Sequence, residues 1–281
     1  MSNSKTFFEA QQWAFSFIKK AGLDPSAADL LLYGEMNFSA TEFLMNLRKE
    51  VSEKKWQHFK KNVELYCQGW PAQYLLGNAY FYGLNLKVTS ATLIPRPETE
   101  ELVDWIISGN ERTTKKVADI GTGTGAIGLA LKSQLPSWQV SLTDISEAAL
   151  AVAQENAVNL GLDVSILRGD LLAPLTDGPY DIIVSNPPYI SQNEQNEMDK
   201  SVLEHEPHLA LFAADNGLAF YRRIAQQVSS YIHVNSKLYL EIGYAQGKQV
   251  VGIFKEAFPQ AEVTLKRDIT AHDRMVRVIF K

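Results

Sequence analysis

The chain has 281 residues, 46% hydrophobic and 21% charged, with a net charge of −5 at pH 7. That balance suits a soluble globular protein of one large or two smaller domains and lacks the basic excess of a dedicated nucleic-acid binder. A single cysteine, Cys67, excludes a disulfide framework and a cysteine-rich metal site. The five histidines are scattered, and His205 and His208, separated by Pro207, lack the i, i+4 spacing of a zinc-protease motif, so no metal is expected. The opening "MSNSKTFFEAQQWAF" has no charged-then-apolar signal pattern, and no apolar run approaches the roughly 20 residues of a membrane span. A cytoplasmic protein with no membrane partner is expected.

The first third reads helical. "FFEAQQWAFSFIKKAG" places Phe7, Phe8, Ala14, Phe15 and Ile18 broadly at helical spacing, with Gly22 as a stop. "DPSAADLLLYGEM" predicts a second helix with Asp24 as N-cap and Pro25 at its first position. Ser52 caps a third over "EKKWQHFKKNVELYCQ", closed by Gly69. Lys54, Lys55, Lys60 and Lys61 on it read as a solvated face. From Asn78 to Ile94 aromatic and β-branched residues take over, predicting a short β-hairpin with turns at Gly83 and at Thr89–Ser90. "PRPETEELVDWII" opens a further helix, with Pro97 near its start and acids in its first turn.

From Lys115 onward strand and helix alternate. "KKVADI", "WQVSLTD", "DVSILRG", "YDIIVS" and "SKLYLEI" are the strands of a parallel α/β sheet with helices on both faces. "AEVTLKRD" and "DRMVRVIFK" follow with only a short link and predict an antiparallel pair at a sheet edge. The division expected is a helical domain over 1–76, a hairpin linker over 77–96 and a catalytic domain over 97–281.

"VADIGTGTGAIGLALK" runs strand, glycine turn, helix. Gly121, Gly123 and Gly125, with Thr122 and Thr124 between them, let a ligand approach the backbone closely. No Gly-Lys-Ser/Thr follows, so this is not a phosphate-binding P-loop. Gly123, Gly125 and Gly128 formally match the dinucleotide fingerprint. The other reading is S-adenosylmethionine, with the loop against its amino-acid part. Asp119 suits that reading: its carboxylate would repel a pyrophosphate but can orient an ammonium. Asp144, at the end of the next strand, can accept from ribose hydroxyls or cap the helix "SEAALAVAQENA". Asp170 and Leu171, after the third strand, can meet an adenine edge and face, or form a plain polar loop.

"DIIVSNPPYI" then carries the chemistry. Prolines end strand pairing abruptly, so Asn186, Pro187, Pro188 and Tyr189 follow the fourth strand into the crevice at the carboxyl ends of the strands. A planar amide or aromatic amine is a poor nucleophile because its lone pair is delocalised. Two acceptors on its two N–H protons orient it and support the charge that develops. The Asn186 side-chain carbonyl and the stiffly held Pro187 main-chain carbonyl are that pair, and Tyr189 can pack its ring against the planar group.

"DIGTGTG" with "NPPY" resembles the class I methyltransferases that modify planar amino groups. "PAQYLLG", "LIPRPETEELV", "VSNPPYI", "EPHLALFAADNGL" and "HDRMV" are similar to stretches of the peptide-chain release factor glutamine methyltransferases, the PrmC/HemK family. The resemblance covers the chain from about Gly69 to its end. It implies a Rossmann-like class I methyltransferase sheet behind a small helical substrate-recognition domain. It also implies N5-methylation of the glutamine in the Gly-Gly-Gln motif of class I release factors, as part of translation termination. Gly121 to Gly125 and Asp144 then hold the cofactor with Leu171 at its adenine, and Asn186 to Tyr189 hold the glutamine amide. A monomer acting on protein, without direct nucleic-acid contact, is expected. The competing readings are glutamine methylation of a ribosomal protein, an adenine-N6 DNA or RNA methyltransferase sharing the amine clamp, a nicotinamide oxidoreductase, and a non-enzymatic cofactor-sensing module. Arg96 reads either as an anchor for a carboxylate or as a partner of Glu98 or Glu100. Phe81 and Tyr82 read either as substrate mouth or as core.

Overall fold

The structure is a computed structural model describing residues 5–281. The first four residues, part of the stretch without a signal pattern and of the expected helical domain, lie outside the described residues. Helices α1 (Phe7–Lys20), α2 (Ala27–Met36), α3 (Ala40–Asn46), α4 (Glu53–Cys67) and α5 (Ala72–Leu76) come first, then strands β1 (Asn78–Phe81) and β2 (Leu84–Lys87). Next are α6 (Pro97–Ser108), β3 (Lys116–Ile120), α7 (Ala126–Gln134), β4 (Gln139–Asp144), α8 (Glu147–Leu160), β5 (Ser165–Arg168) and β6 (Tyr180–Ser185). The rest is α9 (Lys200–His205), α10 (Ala219–Gln227), β7 (Ile232–Glu241), α11 (Gly247–Ala257), β8 (Glu262–Arg267) and β9 (Asp273–Ile279). The chain separates into two compact units: residues up to Asn78 with Asp199–His205, and Ala79–Met198 with Glu206–Lys281.

In the first unit α1 opens on a capping box. The Glu9 N–H donates to Thr6 Oγ1 at 3.2 Å, and the Thr6 N–H donates to Glu9 Oε2 at 2.8 Å. The face α1 buries is Phe7, Ala10, Ala14 and Ile18, while Phe8 and Phe15 stand about half-exposed, so the expected stripe is shifted. That face packs with Leu31, Leu32, Phe43, Phe59 and Val63. The second helix also starts later than expected. Asp24 accepts from the Ser26 N–H (2.9 Å) and Oγ (2.8 Å), which closes a local turn, and Ser26 takes the N-cap position of α2. Lys54, Lys55 and Lys61 are exposed and Lys60 pairs with Glu64 at 3.7 Å, so this is a solvated face.

The second unit begins with the hairpin. Tyr82 and Gly83, both at positive φ, form its two-residue turn. Phe81 and Leu86 bury into the same core as α6 and α7, and Asn156 of α8 accepts from the Lys87 N–H at 2.7 Å. The hairpin is therefore packed into this unit's core.

The main sheet runs β5-β4-β3-β6-β7-β9-β8. Its first five strands are parallel, and β9 lies antiparallel between β7 and β8. The expected terminal pair is present, with β8 alone forming the edge. Alternate residues of the central strands feed two cores on opposite faces: Val117, Ile182, Val184 and Tyr239 on one, Ala118, Ile120, Ile183 and Leu238 on the other. Strand order reverses between β3 and β6, so a crevice opens at their carboxyl ends. The glycine turn leaves β3 there and the NPPY turn leaves β6, and Ser185 Oγ ties the two ends together by donating to the Ile120 carbonyl at 2.6 Å. No helix among the described residues is long and apolar enough to cross a membrane.

Candidate active site

At that crevice lies a cavity of about 300 Å³ within the second unit. Gly121, Gly123 and Gly125 have φ of 70°, 57° and 84°, a left-handed backbone that side chains rarely adopt. Gly121, Thr122, Gly123 and Thr124 line the wall, and a Cβ on Gly121 or Gly123 would meet no protein atom within 4 Å. The loop leaves ligand-sized space against its main chain.

Hydrogen bonding favours one of the two cofactor readings. The N–H groups of Gly121 and Thr122 donate to the Thr143 carbonyl at 2.9 Å, and that of Gly125 donates to Thr122 at 2.9 Å. The Gly123 N–H donates to Asp144 Oδ2 at 2.9 Å. A pyrophosphate is held by free N–H groups at a helix start. Here the loop N–H groups of Gly121, Thr122, Gly123 and Gly125 are used inside the protein, and a carboxylate sits among them. The fit is to a ligand with hydroxyl and ammonium donors, which S-adenosylmethionine has.

Asp119 lies beneath the loop and does not line the cavity. Its Oδ2 accepts from Thr122 Oγ1 (2.6 Å) and from the Gly128 N–H (3.0 Å), so it braces the loop against α7. Burial pushes its carboxyl up to about 6, against the pull of those two hydrogen bonds, and Oδ1 is buried with no partner. Gly128 serves packing: a Cβ there would fall 2.2 Å from Leu142 Cδ2.

Asp144 lines the cavity at the end of β4. Its Oδ1 accepts from the Ser146 N–H at 2.8 Å. It is not the cap of α8. Ser146 is, its Oγ accepting from the Ala149 N–H at 3.2 Å, so the Asp144 carboxylate faces the loop and the cavity. Asp170 and Leu171 line the wall. Asp170 pairs with Arg223, whose guanidinium also lies 5.7 Å from the ring centre of Phe220, another wall residue. Leu171 has φ of 52°, a strained conformation for leucine, stored at the cavity edge.

Asn186, Pro187 and Pro188 line the same cavity, at the end of β6 beside β3. The ring of Tyr189 does not. It packs into the sheet core beside Leu218 and Tyr221, and burial raises its hydroxyl well above the usual phenol range. What Tyr189 contributes is its main chain. Gln246 Nε2 donates to its carbonyl at 2.8 Å and to that of Asn216 at 3.2 Å, while Gln246 Oε1 accepts from the Gly243 N–H at 3.1 Å. The turn after the prolines is thereby pinned to the loop before α10.

Two family models match the chain, a PrmC N-terminal domain over residues 9–77 and a methyltransferase small domain over residues 101–209. The release factor glutamine methyltransferase of Enterococcus faecalis is 38% identical over 97% of this chain and 98% of its own length. That of Streptococcus pneumoniae is 46% identical over 86% of this chain and 87% of its own length. The chain belongs to the release factor glutamine methyltransferase family. A solved methyltransferase from Pyrococcus furiosus shares the fold, with a TM-score of 0.53 at 15% identity, covering 80% of this chain and 98% of that one.

Within this release factor glutamine methyltransferase family member, the "IPRPETE" and "EPHLALFAADNG" stretches acquire physical roles. Arg96 pairs with neither Glu98 nor Glu100. Its Nη2 meets Glu206 Oε1 at 2.5 Å, and Glu206 Oε2 accepts from the Ile94 N–H at 3.2 Å. Glu206 is buried and Arg96 lines the cavity, so the pair fixes one wall. Glu100 instead accepts from the Tyr82 N–H at 2.7 Å. Phe81 both lines the cavity and joins the core, whereas Tyr82 is turned to Asp104. Thr99, Phe220, Glu241 and Gln246 were not foreseen. Thr99 lies inside "IPRPETE", but its partner Glu241 is 142 positions away, beyond any local signal. No group of three or more His, Cys, Asp or Glu side chains could hold a metal among the described residues.

Proposed function

We propose that this chain transfers the methyl group of S-adenosylmethionine to the side-chain amide nitrogen of a glutamine in a class I peptide chain release factor, the glutamine of its Gly-Gly-Gln motif. When bound, S-adenosylmethionine supplies an electrophilic methyl on a sulfonium. Gly121 to Gly125 leave room for its amino-acid part, Asp144 accepts from its ribose, and Asp170 and Leu171 border its adenine. Asn186 Oδ1 and the Pro187 carbonyl accept the two amide protons and aim the nitrogen. Transfer would form the C–N bond as the methyl's bond to the sulfonium sulfur breaks, leaving a neutral thioether, and the positive charge that grows on that nitrogen is stabilised by both acceptors. The product cation is acidic enough to lose its proton to water, so no dedicated general base is required.

One observation carries this reading: the acceptor-bearing Asn186–Pro187 turn and the glycine loop line one cavity. The relatives' shared name supports glutamine over adenine as the planar amine. The net charge of −5 agrees with a protein substrate better than with a phosphate backbone. On the same reading the chain works in the cytoplasm, as a monomer. Asn186→Ala tests it. Turnover on release factor should fall by roughly a hundredfold or more while cofactor affinity, read by calorimetry, stays within a few-fold. Unchanged turnover rejects the clamp.

A further inference from the structure

Asn186 can accept a substrate N–H only if its oxygen, not its nitrogen, faces the cavity. The two ends of an amide are nearly alike in shape, so packing does not choose between them. A neighbour with a committed proton does. Glu241, at the end of β7, is 1% exposed, and Thr99, in the first turn of α6, is 4% exposed. The Thr99 hydroxyl donates to Glu241 Oε2 at 2.7 Å. A carboxylate only accepts, so the single Thr99 proton is used there. What Thr99 offers Asn186 is a lone pair, and Asn186 Nδ2 donates to it at 3.3 Å. The Asn186 oxygen is left for the cavity.

We propose that Glu241 and Thr99 form a positioning relay that sets the amide orientation of Asn186 and so makes the clamp an acceptor of N–H protons. The relay rests on the glutamine reading only for the identity of the substrate; the orientation belongs to the free protein. It also implies a pH response. Burial raises the Glu241 carboxyl to about 7, with Thr99, Arg274 and the Asn186 amide, which also reaches this carboxylate directly, pulling it down and Glu98 pushing it up. Tyr189 and Tyr221 are the other titratable groups that face it. A protonated Glu241 can donate to Thr99, which turns the Thr99 proton toward Asn186 and inverts the amide. Turnover should therefore fall as pH drops through about 7.

The test compares Thr99→Val, Thr99→Ser and Glu241→Gln with the wild type. It uses turnover on release factor, S-adenosylmethionine affinity, and hydrogen exchange of the Asn186 side-chain amide in the free protein by nitrogen-15 NMR. Outer partners of a functional group are typically worth about 10–100-fold, and a loss of that size in kcat is expected for Thr99→Val with cofactor affinity kept. Thr99→Ser should restore most of the turnover. The Asn186 amide protons should exchange faster in Thr99→Val. Glu241→Gln should lose the fall in turnover at low pH. Wild-type turnover or unchanged Asn186 exchange in Thr99→Val overturns the relay, and so does an unaltered pH limb in Glu241→Gln. If the wild type does not methylate release factor, the substrate reading fails on its own, and the Asn186 exchange still decides the relay.

Discussion

Gly217 tests how the NPPY turn is held. Asp215, Asn216 and Gly217 all have positive φ, and Gly217 at 83° is the one with no room for a side chain. A Cβ there would lie 2.1 Å from the Tyr189 carbonyl oxygen and 2.3 Å from Gln246 Nε2. The left-handed backbone costs a residue with a Cβ about 1–2 kcal/mol. Overpacking against a fixed main chain adds about 1–3 kcal/mol. Gly217→Ala should therefore lose roughly 2–5 kcal/mol of stability, read as a lower urea midpoint at unchanged slope. The strain falls on the Tyr189 carbonyl that Gln246 holds, two residues after Pro187. The glycine loop after β3 is not touched. Turnover should then fall more than cofactor affinity in the same preparation. Stability within about 0.5 kcal/mol of wild type, with unchanged turnover, would refute the pinning of the turn.

Asp119 carries a pH signature. Its folded carboxyl lies at about 6 against 3.8 for the free group, so between those values the native state holds a proton the unfolded chain has lost, and stability falls as pH rises through that window. Asp119→Asn removes the charge, so its stability relative to wild type should rise by up to about 3 kcal/mol from pH ~4 to pH ~7 in denaturant melts; a difference flat in pH contradicts the buried charge. Asp144→Ala leaves the Gly123 N–H without its partner and removes the ribose acceptor, and calorimetry should show cofactor affinity down by about tenfold or more. Arg96→Ala strands the buried Glu206; with Arg96 35% exposed, a cost of about 2–4 kcal/mol is expected in thermal or urea unfolding, less than for a fully buried pair.

Much of this molecule is written in local signals. The strands of the large sheet are short apolar or alternating runs, and each is found near where its residues place it, though β7 begins at Ile232, before the run from Ser236 that predicts it. The glycine turn and the Asn-Pro-Pro turn announce themselves because each needs a particular backbone. Strand order is another matter. That β9 enters between β7 and β8 follows from pairing over distance and leaves no trace in either strand's own pattern. The shifted face of α1 shows the same limit: spacing alone cannot tell Phe8 from Phe7 as the buried ring. An aspartate serves a turn and a helix cap with the same bond, so the sequence does not show that Asp24 closes a turn and leaves the cap position to Ser26. The Ser39–Glu42 capping box of α3 was legible but short, with no periodic stretch behind it. The site's supports were hidden for the first of these reasons. Arg96 meets Glu206 across 110 positions and Thr99 meets Glu241 across 142, so each pair exists only once the sheet has formed.

The most direct measurement is the position of the transferred methyl group. The protein is incubated with labelled S-adenosylmethionine and, separately, release factor, release factor with the Gly-Gly-Gln glutamine replaced, ribosomal protein, and DNA or RNA, and any labelled protein is fragmented for mass spectrometry. Label on the side-chain amide of that one glutamine, absent from the replaced variant, is the expected result. Label on ribosomal protein or on adenine alone, with release factor unmodified, would contradict it.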